Sequence, residues 1–150
     1  MKRAHAAGLL ADLDTALAVR LERQTAVWDR PNPPRVSAVL SWMTLATAPG
    51  DGQIMAGQLA HILTLVERPG VSVRVVGQHM GWHIGHDGSC QLLTVGADMA
   101  FAEAPGMVGH LVLDPDRVER YARRMEQISD LASNTVDSRE MIEKAMRSYA

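Results

Sequence analysis

The segment Val71–Val76, with Pro69-Gly70 before it and Gly77 after it, constrains the fold more than any other part of the chain. Val71, Val73 and Val75 alternate with Ser72 and Arg74, the two-residue period of a half-buried strand. The sixteen residues ahead of Pro69-Gly70, Gln53 to Arg68, carry Met55, Leu59, Ile62, Leu63 and Val66 at helical spacing. One long amphipathic helix is thus followed at once by a strong strand. Both must bury an apolar face, which requires layered packing of helix on sheet.

Other elements follow from similar signals. Leu9 to Trp28 reads as a helix with Leu13, Leu17, Leu21 and Trp28 on one face, and the Pro-rich RPNPPR (30–35) ends it. VSAVLSW (36–42) reads as a strand and TAPGDG (47–52) as a loop. QHMGWHIGHDG (78–88) reads as a Gly- and His-rich loop. CQLLTVG (90–96) and DMAFAEA (98–104) read as a hairpin turning at Gly96-Ala97, and HLVL (110–113) as a short edge strand. Asp114 and Pro115 open a helix running to about residue 132 with Val118, Tyr121, Met125, Ile128 and Leu131 on its buried face. Residues 134–137 break it, and Asp137 with Glu140 suggests a capping box for a last helix over 138–149. The order predicts one α+β domain spanning 1–150: a small, mainly antiparallel sheet of four or five strands, with Val71–Val76 central and the helices 53–68 and 115–132 packed on it.

Composition narrows the function classes. A net charge of −2 gives no general attraction to nucleic acid or anionic membrane. Arg117, Arg120, Arg123 and Arg124 interleave with Asp116, Glu119, Glu126 and Asp130, so no basic recognition helix stands out. A single cysteine, Cys90, leaves no internal disulfide and fits a reducing, cytoplasmic setting. MKRAHAAGLLADLD reads as a helix start and not a signal peptide, because Asp12 and Asp14 interrupt its short apolar stretch. Nine methionines suit an adaptable apolar pocket or a plainly filled core.

The order and spacing of several short motifs resemble the C-terminal domain of actinobacterial Xre-family regulators, a domain long labelled only as of unknown function. The motifs are ALAVRLERQ (16–24), MAGQL (55–59), PGVSVRVV (69–76), GWHIGHDG (81–88), AFAEA (100–104), DPDRVERYARRMEQISDLA (114–132) and SREMI (138–142). The resemblance implies a ligand-binding-like domain. Family members usually carry a helix-turn-helix ahead of it, and none is visible before Lys2, so a stand-alone module without DNA binding of its own is expected. Departures from the family pattern fall at Ser41-Trp42, Gly77 and Cys90, around the His-rich loop, as if a site there had been rebuilt.

The candidate site is accordingly expected where the loop 78–88 meets the ends of strands 36–42, 90–95 and 98–103. His83 takes the position of the family's loop His and is the first choice for moving a proton, with Glu103 to orient it or balance its charge. Cys90 is either a nucleophile beside His83 or His86, or a small buried hydrophobe. Trp42, Trp82, Met80, His79 and His86 are the candidate ligand contacts. His79, His83, His86 and Cys90 lie in one twelve-residue stretch, yet their spacing fits no zinc-finger pattern, so no metal or other cofactor is expected. A small molecule or a partner protein is the expected ligand, a homodimer is left open, and no membrane association is expected. The alternative is an enzyme of specialised metabolism on the same domain, cofactor-independent or, less favoured, dependent on metal or haem.

Overall fold

A computed structural model describes residues 12–96, 98–103 and 110–149, without the side chains of Leu13, 98–103, 110 and 111. Residues 1–35 and 36–150 form two compact units. In the first, α1 (Leu13–Trp28) begins at Asp12, whose carboxylate accepts the backbone N–H groups of Asp14 and Thr15 and the Thr15 hydroxyl. The Thr15 hydroxyl, then the backbone bonds, holds the Asp12 carboxyl below its ordinary pKa. Residues 9–11 of the expected first helix lie outside the described residues.

The second unit starts with β1 (Val36–Ser41), α2 (Trp42–Ala46), α3 (Gly52–Leu65) and β2 (Val71–Val76). β1 and β2 pair in parallel, from Val36 opposite Val71 to Ser41 opposite Val76. Parallel neighbours need a crossover of a dozen or more residues, and α2 with α3 supplies it. The chain continues through two short 3-10 turns, Gln78–Met80 and Ile84–Asp87, to β3 (Cys90–Val95), β4 (Asp98–Glu103) and β5 (His110–Val112). These three form a separate antiparallel sheet in chain order. Two helices close the unit, α4 (Pro115–Asp130) and α5 (Thr135–Arg147).

The mixture of helices and strands agrees with an α+β class, but the expected single antiparallel sheet does not form. Five strands are present among the described residues, divided between a parallel pair and an antiparallel triplet. β2 is therefore not a central strand. Its outer edge is taken by the α4–α5 junction: the Ser133 N–H donates to the Val75 carbonyl at 3.0 Å, and the Val75 N–H donates to the Ser138 hydroxyl at 2.9 Å. Arg74 reinforces this strap, donating to the carbonyls of Ala132 and Ser133. A strand so covered cannot accept a third neighbour.

Both faces of the parallel pair are covered, as parallel strands require. On one face Leu40, Val73 and Val75 pack with Leu45, Met55 and Leu59 and with Ile142 of α5. On the other, Val39 and Val76 pack with Ile128, Leu131 and Ala132 at the end of α4. A smaller cluster joins Val112 and Val118 to Leu92, Cys90 and Tyr121.

Several local expectations are corrected. Trp42 does not end a strand but starts α2, because the Ser41 hydroxyl accepts the Met43 N–H at 3.3 Å and turns the chain into a helix. α3 ends at Leu65, ahead of residues 66–68. The last helix is capped by Asn134, not Asp137: the Asn134 carboxamide oxygen accepts the Asp137 N–H at 2.9 Å, and the helix starts at Thr135.

Candidate functional site

A groove of about 700 Å³ opens beside the carboxyl ends of β1 and β2, where the crevice of parallel sheets commonly receives ligands. α2 sets Trp42, Leu45 and Ala46 along one side. α5 faces it with Met141, Lys144, Ala145 and Ser148, whose spacing of three, one and three puts all four on one helical face. Val75 and Gly77 lie between, and Gln78 and His79 complete the lining. The two helices are tied at the far end, where the Tyr149 hydroxyl donates to the Leu45 carbonyl at 3.0 Å. Among the lining residues only Lys144 carries a permanent charge, and it has no ion-pair partner among the described residues.

The His79 ring owes its place to a glycine. A Cβ on Gly77 would lie 2.7 Å from His79 Nδ1 and 3.6 Å from the Met141 methyl, so only a bare backbone lets the ring lie down there. Trp42 and His79 are thus the two sequence-predicted residues that the structure brings together in the groove.

His83 and His86 form a different arrangement, in the turn Ile84–Asp87. The Gly85 N–H donates to His83 Nδ1 and the His83 N–H donates to His86 Nδ1, both at 3.1 Å. The rings lie 4.1 Å apart between centroids, tilted by 33°. Because each Nδ1 accepts, each neutral ring carries its proton on Nε2, and both Nε2 atoms are buried with no hydrogen-bond partner. His83 is only 7% exposed. Burial first, then the neighbouring His86, pushes its pKa below that of an ordinary imidazole. The free His83 side chain is accordingly neutral, with its basic nitrogen already engaged. The turn is pinned to α4 by Arg124, which donates to the Ile84 carbonyl at 2.7 Å and pairs with Asp87 at 3.0 Å.

The other candidates are dispersed. Trp82 is 77% exposed and does not line the groove. Met80 packs into the cluster around Val76 and Ile128. Cys90 is half-buried, its thiol donating to Met125 Sδ of α4 at 3.1 Å. Backbone register sets Glu103 opposite Cys90 on one side and His110 on the other, but the Glu103 side chain lies outside the described residues. Among the described residues no three of His, Cys, Asp and Glu gather to hold a metal ion, and no helix is long and apolar enough to cross a membrane.

Lys144, Met141 and Ser148 were missed by sequence reasoning. The only signal for them was their shared face on the last helix, which the core residues of that helix mask.

A family model matches residues 1–144, nearly the whole chain. The chain belongs to the family described as a domain of unknown function, DUF5753. Two of the sequence motifs acquire a physical meaning here. In SREMI, Ser138 and Ile142 are both fully buried against β2, so the Ser-x-x-x-Ile spacing is one helical turn docking on a strand edge. In PGVSVRVV, Gly70 has φ 81°, which favours glycine, and its carbonyl accepts the Val36 N–H to start the parallel pairing. No curated protein and no solved structure matches the chain.

Proposed function

We propose that this DUF5753 domain is a binding module that takes a small molecule in the groove between α2 and α5, and that it descends from the C-terminal domain of an Xre-type regulator. The observation that carries the reading is the groove itself. It is a concave site lined by Trp42, Leu45, Val75 and Met141, with few polar groups, the usual make-up of a small-molecule site. The ordered series of motifs supports the regulator descent.

DNA binding by the domain itself is not part of this reading. The arginines of α4 are partly spent within the protein, Arg123 on Glu119 at 2.7 Å and Arg124 on Asp87, and the net charge is negative.

The test uses N-phenyl-1-naphthylamine, a neutral fluorescent probe of apolar sites. It is expected to bind the full chain at one site with blue-shifted emission. Ala46 is exposed on the groove wall, so Ala46→Trp should block the site and abolish the signal without loss of helical circular dichroism. His83→Gln, away from the groove, should leave it unchanged. Binding that survives Ala46→Trp would place the site elsewhere.

A further inference from the structure

The groove has a chemical polarity that its apolar lining does not by itself dictate. On α5 Arg139 pairs with Glu67 and Glu143, and Arg147 lies 3.9 Å from Glu143, while Glu140, four positions before Lys144, makes no ion pair with it. Lys144, one position from Glu143, points instead along the groove face with Met141, Ala145 and Ser148. Among the described residues no carboxylate lines the groove. Opposite Lys144 the wall is the half-buried Trp42. A flat apolar body would lie on Trp42, Leu45 and Met141, while an acidic group at its end would meet the Lys144 ammonium.

We infer that the ligand of this groove is an amphiphilic monoanion, a small carboxylic or comparable acid with a planar or aliphatic apolar body. The inference rests on the groove being the binding site and specifies what it selects. Lys144 is the specificity-determining residue, and Trp42 is the platform.

The experiment compares three probes of one shape on the full chain at low salt, by isothermal titration or ligand-observed NMR: 2-naphthoate, 2-naphthalenemethanol and 2-naphthylmethylammonium. The anion should bind about fivefold more tightly than the alcohol, equivalent to about 1 kcal/mol for one exposed charge contact, and the ammonium more weakly than either. Salt at 0.5 M should shrink the anion's advantage, as screening requires. Lys144→Met should make acid and alcohol equal, and Lys144→Glu should reverse the order toward the ammonium while leaving the alcohol unchanged. Since Lys144 is exposed, neither variant threatens the fold. An anion preference below twofold, or one that persists in Lys144→Met, overturns the inference and leaves the groove reading standing. Failure of all three probes to bind overturns both.

Discussion

Removing one hydroxyl should measure how firmly α5, and with it the groove, is held to the sheet. Ser138 is wholly buried, and its Oγ accepts the Val75 N–H at 2.9 Å while donating to the Ser133 carbonyl at 3.2 Å. In Ser138→Ala the Ser133 carbonyl keeps the Arg74 guanidinium at 2.9 Å and remains satisfied. The Val75 N–H keeps nothing, since its side of β2 faces the strap and not a strand. A buried orphaned donor costs about 1–3 kcal/mol; the removed oxygen leaves a void too small for a bridging water. The variant should therefore lose about 2 kcal/mol, with a melting point lower by roughly 4–8 °C for a chain of this size. Ser72→Ala, which removes only a surface contact to the Ser37 hydroxyl at 3.3 Å, should stay within about 0.5 kcal/mol. Urea unfolding gives the two free energies, and amide exchange at Val75 reports the local event. A cost below about 0.5 kcal/mol, or unchanged exchange at Val75, would refute the reasoning. It would mean that the N–H has another partner and that the strap does not hold α5.

Burial lowers the His83 pKa, so the unfolded chain binds the proton more readily than the folded one. The contribution is fully present above the ordinary imidazole pKa near 6.5 and is lost as the pH falls toward the depressed folded value, with a slope of at most about 1.4 kcal/mol per pH unit for one proton. Urea titrations from pH 8 to 5 should show this slope in the wild type and a shallower one in His83→Phe; parallel curves would refute it. Gly77→Ala should cost under about 1 kcal/mol, because the obstructing atoms belong to the His79 side chain and not to backbone, yet it should weaken naphthylamine binding by driving that ring into the groove. A gel shift at physiological salt should show no sequence-specific DNA retardation by this chain, consistent with its negative net charge and the pairing of Arg123 and Arg124.

What the sequence disclosed about the fold is uneven for a physical reason. Alternation in Val71–Val76 reports a strand's two faces but not the direction of its neighbour. The 29 residues between this strand and Val36–Ser41 are long enough for the crossover that their parallel pairing needs, but a connection of that length does not by itself set the direction. The β3–β4 hairpin was legible because Gly96, at φ 63°, marks the turn in the sequence itself. The α2 turn was hidden because five residues are too few to show a helical period, and its cause is a single Ser41 hydroxyl bond. The buried role of Ser138 was hidden too, since a serine near a helix start ordinarily reads as a cap.

The site divides along the same line. Trp42 and His79 were legible as uncommon side chains near a chain reversal, and they do meet. The opposite wall comes from residues more than sixty positions later, on a helix whose amphipathic pattern is already explained by Ile142 and Ser138 docking on β2. A helix has two flanks beside its buried stripe, and sequence periodicity does not tell which one faces solvent and which a groove. His83 shows the converse. Its chemistry attracted a catalytic reading, but the backbone of Gly85 claims its Nδ1 and burial keeps it neutral. With Arg124 bracing the same turn from α4, His83 is well placed to shape the loop that begins at the groove's His79. That division of labour is separable: His83 variants should shift stability and its pH dependence, whereas variants of the exposed Lys144 should shift ligand affinity at constant stability.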